Sequence, residues 1–313
     1  MNSLEPFHEG EVAVQERTGE RADAVRRGTM IRHSLTQAAR DFLSSQRAIA
    51  VGAADDLGRP WASLWLGSPG FVTCPSAEVM RVARQRVPSH DDPLDALVSE
   101  GREIGTLAID FASRGRLRVN GLVTAANDAF LEVTVREWFS NCKKYVQQRV
   151  QSHEGHAARD SDGLVERGDR LDARRRGALA SVDTLFVASR HPERGLDASH
   201  RGGAPGFVRV LDDRRLRFPD YLGNSMFQTL GNFEVDPRAG VLAVDFEGGR
   251  LLSLSGLVTV RFGSDELDHP SGGTGRYWEL AVDEWVDFPM PAGHAFLLIE
   301  PSPHNPPPFP AVF

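Results

Sequence analysis

The sequence GSPGFV at residues 67–72 returns as GAPGFV at residues 203–208, which is 136 positions further along the chain. A second stretch, LAIDF at 107–111, returns as LAVDF at 242–246, which is 135 positions later. Collinear matches at one long period are the mark of an internal repeat. The pattern predicts that one small β-rich domain occurs twice in tandem.

The second match extends without a gap to a shared GLVT, at 121–124 in the first copy and at 256–259 in the second. A third, spaced match begins at Glu132 and again at Glu279, and both stretches end in Glu-Trp. Residues that both copies keep are those that both cores need. Positions at which the copies differ are therefore where we look for function.

The composition is that of a globular protein with two domains. The chain has 313 residues, of which 41% are hydrophobic and 25% are charged, and this length fits two domains of ordinary size. The net charge is −7 and the isoelectric point is near 5.8. Nucleic-acid-binding proteins normally carry a basic surface, so we expect no nucleic-acid partner.

Cysteine usage and the hydropathy pattern exclude several classes of protein. The chain has two cysteines, Cys74 and Cys142, and no CxxC pair or Cys/His cluster, so we expect neither a disulfide framework nor a metal site. The first residues, 1–10, do not resemble a signal peptide, and no apolar run approaches the roughly 18 residues of a membrane span. A cytoplasmic location without a membrane partner is the expectation.

Short apolar segments separated by turn residues run through both copies and predict a mainly β, barrel-like fold with a few helices. A helix is predicted over 33–46 and another between Asp220 and Pro237. The predicted divisions are an N-terminal arm at 1–32, a first copy at 33–150, a polar linker at 151–178, a second copy at 179–300 and a proline-rich tail at 301–313.

The largest difference between the copies lies just before the shared Pro-Gly-Phe-Val. The second copy reads DASHRGG at 197–203, whereas the first copy reads WASLWLG at 61–67 and has no basic residue. Ser199, His200 and Arg201 therefore lie on or beside one strand, next to glycines that let a ligand approach the backbone. The forked guanidinium of an arginine suits an anion.

A second difference is FPDYLGNS at 218–225, whose counterpart in the first copy has diverged. We expect Gly223, Asn224 and Ser225 to stand at the start of a helix that runs to Phe233. Helix N-termini offer free amide donors and a positive dipole end, which suits a phosphate group. An ordinary asparagine N-cap beside an exposed arginine remains the alternative.

Together, Ser-His-Arg-Gly-Gly, Pro-Gly-Phe-Val, Phe-Pro-Asp-Tyr-x-Gly-Asn and Val-Asp-Phe, in this order, resemble the pyridoxamine 5′-phosphate oxidase-like flavin-binding split barrels. In the first copy, GRPWAS at 58–63 and NCKKYVQ at 141–147 are similar to a two-copy branch of that family. The resemblance covers about 30–150 and 180–300. It implies two tandem split β-barrels of the flavin-binding type, with FMN bound where the barrels meet.

The resemblance also implies roles for individual residues. Ser199 to Arg201 match positions that touch the flavin ring and phosphate, and Asp220, Gly223, Asn224 and Ser225 match the segment that holds the ring edge and phosphate. Arg116 and Arg118 lie on the strand that often reaches the flavin of the other barrel. The chain lacks the Arg-Lys and the C-terminal arginine signature of the true oxidase, which argues against pyridoxamine phosphate as the substrate.

The function expected from these features is flavin-dependent oxidation or reduction of a small molecule, with an electron donor or acceptor as a further partner. Lys144 and Tyr145 are the candidates for a catalytic role beside the substrate. A flavin-binding carrier or sensor without turnover is one alternative, and a barrel in which His200 ligates haem iron is another. The two copies are expected to form an internal pseudo-dimer, and a homodimer of whole chains is compatible with this arrangement.

Overall fold

Two antiparallel sheets with the same strand order make up most of the molecule in a computed structural model, which describes residues 6–84, 92, 95–152, 164–263, 270–291 and 293–306. The helices are α1 Glu9–Arg17, α2 Arg21–Gly28, α3 Gln37–Ser45, α4 Ala173–Ser181 and α5 Gln228–Val235. The strands of the first half are β1 Ala48–Ala54, β2 Pro60–Leu66, β3 Val72–Thr73, β4 Val79–Ala83, β5 Glu103–Asp110, β6 Gly115–Ala126, β7 Phe130–Asn141 and β8 Gln148–Ser152.

The later strands are β9 Glu166–Gly168, β10 Thr184–His191, β11 Gly195–Gly202, β12 Arg209–Val210, β13 Arg215–Pro219, β14 Arg238–Asp245, β15 Arg250–Arg261, β16 Tyr277–Pro289 and β17 Ala295–Glu300. The first sheet has the order β2-β1-β5-β6-β7-β4-β3, and the second has the order β11-β10-β14-β15-β16-β13-β12. The fold is therefore mainly β, with two tandem split barrels, and the predicted fold class is confirmed.

Strand register repeats as closely as strand order. Ala48 pairs with Leu66 in the first sheet, and Thr184 pairs with Gly202 in the second. Both sheets shift register immediately before a glycine that occupies the same place in each copy, Gly121 or Gly256. A Cβ on either glycine would collide with a carbonyl oxygen of the neighbouring strand, which gives a physical reason for the glycine in both copies.

The two sheets pack directly against each other through a second pair of equivalent glycines. A Cβ on Gly105 would lie 2.7 Å from Cα of Asp197, and a Cβ on Gly240 would lie 2.6 Å from Cα of Trp61. Since each glycine lets one sheet approach a strand of the other, the contact has an approximate two-fold relationship. The largest buried apolar cluster contains residues of both halves, such as Ile49 and Phe288.

One further sheet joins the halves. β8 follows the first sheet in the chain, and it pairs in antiparallel fashion with β17, which follows the second. The two strands thus form a separate two-stranded sheet whose strands come from different halves. Among the described residues, no helix is long and apolar enough to cross a membrane.

A helix precedes the first strand of each sheet, and the predicted division at 178/179 falls inside the second of these helices, α4. α3 has Thr36 as its N-cap, and α4 has Asp172 as its N-cap one repeat period later; each cap side chain accepts a hydrogen bond from the third residue after it. Leu171 and Leu179 are buried. The sequence of α4 did not predict a helix, because it is mostly polar and only Arg175 and Leu179 on it are buried. The linker residues 153–163 lie outside the described residues.

The N-terminal arm is more ordered than its polar sequence indicates. It contains α1 and α2, and Val14 and Ala24 on these helices are fully buried. His8 caps α1 by accepting a hydrogen bond from the amide of Gly10 at 3.2 Å. At the other end, the described part of the proline-rich tail, 301–306, has no helix or strand; 307–313 lie outside the described residues.

Candidate functional site

A cavity of about 110 Å³, here named the interbarrel cavity, lies between β6 of the first half, β11 of the second and the segment that leads into α5. Its walls include every site residue that the sequence singled out: Arg116, Arg118, Lys144, Tyr145, Ser199, His200, Arg201, Asp220, Gly223, Asn224 and Ser225. The remaining lining residues are Asn141, Cys142, Gly202, Tyr221, Phe227, Gln228, Thr229 and Leu230. The fold thus gathers the candidates from four separate segments.

Arg118 crosses from the first sheet to the second. Its Nη1 donates to Oδ1 of Asp197 at 3.0 Å and to Oε1 of Gln228 at 3.2 Å, and its Nη2 donates to the hydroxyl of Ser199. The guanidinium lies 5.2 Å from the ring centroid of Phe139. Arg118 is buried, so its contacts place one fixed cation in the wall of the cavity.

Arg116 and Arg201 are the second and third guanidinium groups of the cavity, and they are less fully paired. Arg116 donates through Nη2 to the backbone oxygen of Cys142, and burial lowers the pKa of Arg116 to about 10. Nη2 of Arg201 is 3.8 Å from Oδ1 of Asp220, a long ion pair. Burial also lowers the pKa of Arg201. Loss of solvation without close counter-charges destabilises both cations.

Several buried nitrogen atoms around the cavity have no partner among the described residues. These atoms are Nε of Arg116, Arg118 and Arg201 and both ring nitrogens of His200. Burial, followed by the charges of Arg116 and Arg201, lowers the pKa of His200 well below its usual value, so the imidazole is neutral at pH 7. Since unpartnered buried donors are costly, this set is suited to a ligand that accepts hydrogen bonds.

Asp220, the one carboxylate among the described residues of the lining, is already engaged. It accepts a hydrogen bond from Nε of Arg276 at 2.9 Å through Oδ2, and its amide donates to the backbone oxygen of Arg276. Lys144 adds a further cation to the lining. The described lining therefore carries a surplus of positive charge, which favours an anion.

The helix predicted to start at Gly223, Asn224 and Ser225 starts later in the structure. α5 begins at Gln228, so Gly223, Asn224 and Ser225 precede the helix rather than opening it. Asn224 accepts a hydrogen bond from the amide of Met226 at 3.1 Å, a turn rather than a helix cap. The helix begins late because Ser225 and Phe227 have φ values of 61° and 59°, which are incompatible with a right-handed helix.

Tyr145 also has a positive φ, of 64°, and it lies between the two halves. Its hydroxyl donates to the backbone oxygen of Leu222 at 3.1 Å, and its ring centroid is 5.0 Å from that of Tyr221. Burial raises the pKa of Tyr145, so the phenol is protonated at neutral pH. Left-handed backbone at non-glycine residues costs about 1–3 kcal/mol each and is concentrated at functional sites.

On the equivalent strand of the first half, large apolar side chains take the places of the basic ones. Leu64 and Trp65 stand where the second half has His200 and Arg201, and both are buried in the apolar core. The indole nitrogen of Trp65 donates to Asp92 at 2.9 Å, and the hydroxyl of Ser63 donates to the same carboxylate at 2.6 Å. Apolar side chains therefore pack in the first half where the second half has basic ones.

The strand on the other side of the site also has arginines in one copy and neutral residues in the other. Leu251 and Ser253 on β15 occupy the places that Arg116 and Arg118 hold on β6. Leu251 is buried, and the hydroxyl of Ser253 donates to the backbone oxygen of Ala62 at 2.8 Å. Among the described residues, the cationic set therefore occurs on one side of the approximate two-fold relationship only.

Sequence reasoning missed the polar residues that hold the site from behind. Asn232 donates to Oδ2 of Asp197 at 2.6 Å, and His8 contacts Oδ1 of Asn232 at 3.0 Å. Asp197 lies in the DASHRGG stretch that distinguishes the second copy, but the residues that bind it are distant in the chain. The glycine-rich signal marks a ligand-facing strand, whereas nothing local marks a supporting network.

His8, Glu9 and His191 lie close enough together to resemble a metal site. However, Nδ1 of each histidine accepts a hydrogen bond from a backbone amide, of Gly10 and of Glu193 respectively. Nε2 of each neutral ring must then carry the proton, whereas a metal-bound histidine usually donates its other ring proton. We interpret this group as a hydrogen-bonded cap of α1.

Comparisons with known proteins give structural similarities at low sequence identity. No family model and no curated protein matches the chain. HupZ of Group A Streptococcus has 13% identity, covers 36% of this chain and 90% of its own, and has a TM-score of 0.29. A putative pyridoxamine 5′-phosphate oxidase of Lactobacillus delbrueckii has 13% identity, 38% and 94% coverage, and a TM-score of 0.31. A FAD-binding protein of Mesorhizobium loti has 10% identity, 40% and 97% coverage, and a TM-score of 0.28.

Proposed function

We propose that the protein is an FMN-binding oxidoreductase of the pyridoxamine phosphate oxidase-like type and that FMN binds in the interbarrel cavity. The observation that carries the proposal is a set of three guanidinium groups, those of Arg116, Arg118 and Arg201, whose buried Nε atoms have no partner among the described residues. A phosphate monoester carries up to two negative charges and three strong acceptor oxygens, which match such donors.

The size of the cavity limits what it can hold. Its volume of about 110 Å³ is below the roughly 300 Å³ at which ligand pockets usually begin. The proposal therefore seats the phosphate end among Arg116, Arg201 and Asn224. The larger ring system would lie toward the side of the cavity that Tyr145 and Tyr221 border.

The residues of the chain have distinct proposed tasks. Arg201 and Arg116 bind the phosphate, while Arg118 is held by Asp197 and adds positive potential. Neutral His200 offers one donor and one acceptor to an uncharged part of the ligand. FMN, when bound, supplies the transfer of a hydride or of electrons between two small molecules. Lys144 and Tyr145 are the candidates to orient the substrate.

The apolar residues that replace the cations in the first half lead us to propose one FMN per chain, although two similar barrels are present. The barrels are proposed to descend from one duplicated domain, and the chain then contains its own pseudo-dimer. Association of two whole chains is a separate prediction, which sedimentation of the purified protein would test. A cytoplasmic location is likewise proposed.

The proposal is tested by titrating the protein with FMN and with riboflavin, following the quenching of flavin fluorescence. FMN should bind with a stoichiometry of one, and riboflavin should bind at least tenfold more weakly because it lacks the phosphate. Equal affinity for the two flavins would remove the phosphate assignment. No binding of either flavin would overturn the proposal.

Absorbance separates the proposed enzyme from its alternatives. A haem protein would show a Soret band and would use His200 as an iron ligand, whose ring nitrogens have no partner among the described residues. A flavin carrier would show flavin bands that NADH or NADPH does not bleach. For an oxidoreductase we expect bleaching by a reduced donor and recovery when oxygen is admitted.

A further inference from the structure

The N-terminal arm contacts the wall of the interbarrel cavity from behind. α1 crosses α5 at a point of close approach between glycines: a Cβ on Gly231 would stand 2.6 Å from Cα of Glu11. Gln15, fully buried on α1, donates through Nε2 to the backbone oxygen of Met226 at 2.9 Å. Met226 lies between Ser225 and Phe227, the two left-handed residues of the cavity wall.

A second contact joins Glu20, between α1 and α2, to the carboxylate of the cavity. Arg276, nearly buried, donates through Nη1 to Glu20 at 3.0 Å and through Nε to Asp220 at 2.9 Å. Its guanidinium also lies 5.0 Å from the ring centroid of Phe227. Removal of Glu20 would leave Arg276 with one carboxylate partner instead of two. The guanidinium that donates to Asp220 would then be held less firmly.

Apolar packing completes the connection. Phe7 and Ala24 of the arm form a small buried cluster with Phe139 of the first half and Met226 of the second. Phe139 is also the ring beside the guanidinium of Arg118. The arm is therefore connected through Phe139 to Arg118, a cation of the cavity, and through Met226 to the strained turn before α5.

We propose that docking of the N-terminal arm and binding of a phosphate-bearing ligand in the interbarrel cavity are thermodynamically coupled. Left-handed non-glycine residues persist only where surrounding structure supports them, and Gln15 supplies such support at Met226. If the arm undocked, the turn would lose this support, and the affinity for the ligand would fall. By linkage, the ligand must then stabilise the docked arm by the same factor. Naming the ligand as FMN rests on the proposed function.

Amide hydrogen exchange of residues 9–28 tests the coupling without requiring catalysis. We expect saturating FMN to slow exchange in the arm by roughly tenfold, within the usual range of such coupling. The variants Glu20→Gln and Gln15→Met should weaken FMN binding by a similar factor. They should also reduce the protection from hydrogen exchange that FMN gives the arm. Glu16→Gln, the same substitution at an exposed site of α1, should bind FMN like the wild type.

The possible outcomes separate this inference from the proposed function. If the wild-type protein binds FMN but arm exchange and the affinities of both variants are unchanged, the coupling is wrong and the function stands. If FMN does not bind, the same exchange experiment with inorganic phosphate decides the coupling: protection of the arm supports it, and unchanged exchange overturns it. Should Gln15→Met fail to fold, Glu20→Gln carries the test, because Glu20 is partly exposed.

Discussion

Nη1 of Arg118 lies 3.0 Å from Oδ1 of Asp197, and this buried ion pair links a strand of the first sheet to a strand of the second. The carboxylate also accepts hydrogen bonds from Asn120 and Asn232. A cation of the cavity is therefore held in place by residues of both halves. Neither half alone contains the complete site.

The first prediction concerns Asp197→Asn. The substitution leaves the buried guanidinium of Arg118 without its counter-charge, so we expect the free energy of unfolding to fall by about 3–5 kcal/mol. Urea unfolding measures the change. Inorganic phosphate should restore stability more in this variant than in the wild type, because it would supply the missing charge. Asp213→Asn, at an exposed ion pair, should change stability by less than about 1 kcal/mol.

The second prediction concerns Arg201→Ala. Loss of a charged hydrogen bond to phosphate should weaken FMN roughly 10- to 100-fold, as measured by fluorescence titration. Arg215→Ala removes the same charge at an exposed site outside the cavity and should leave FMN affinity within about twofold of the wild type. Equal affinities of the two variants would show that Arg201 does not contact the phosphate.

The third prediction concerns Trp65, which stands in the first half where Arg201 stands in the second. Trp65→Ala removes a large buried side chain, and we expect a loss of about 3–5 kcal/mol of stability by thermal or urea unfolding. The FMN stoichiometry should remain one per chain, since β2 carries no basic residue and Trp65 belongs to a buried apolar cluster. A stoichiometry of two would mean that the first half keeps a latent site.

The fourth prediction concerns pH. Burial, assisted by His191, lowers the pKa of His8 to about 4. Between about pH 6.5 and pH 4 the unfolded chain takes up a proton that the folded chain refuses, so stability falls as the pH falls through this window, by up to about 3 kcal/mol. His8→Asn retains a helix-capping side chain and should reduce this dependence in urea unfolding, while the part due to His200 remains. His33→Asn, at an exposed site, should retain the wild-type slope.

The repeat in the sequence predicted the fold well because it is carried by backbone requirements. Gly121 and Gly256 stand at the same register shift in the two sheets, and no side chain fits there. α4 escaped prediction because few of its contacts are apolar, and its cap, Asp172, resembles any surface aspartate. The arm escaped for a similar reason: Gln15 is buried as a polar residue that bonds to a distant carbonyl.

The differences between the two copies pointed to residues that the fold brings together, although their roles stay predictions. Arg116, Arg118 and the Ser199–Arg201 stretch all line one cavity. The position of the helix start was not predictable, because left-handed φ values at Ser225 and Phe227 are imposed by tertiary contacts rather than by residue type. Asn232 and Arg276 could not be found either, since their partners come from remote parts of the chain.

The pairing of β8 with β17 has a consequence for how the molecule comes apart. Excising either half would strip hydrogen-bonding partners from a strand of the half that remains and would uncover apolar surface shared across the boundary. Melting should accordingly proceed as one cooperative event, with a calorimetric enthalpy equal to the van't Hoff enthalpy, despite a chain long enough for two independent units.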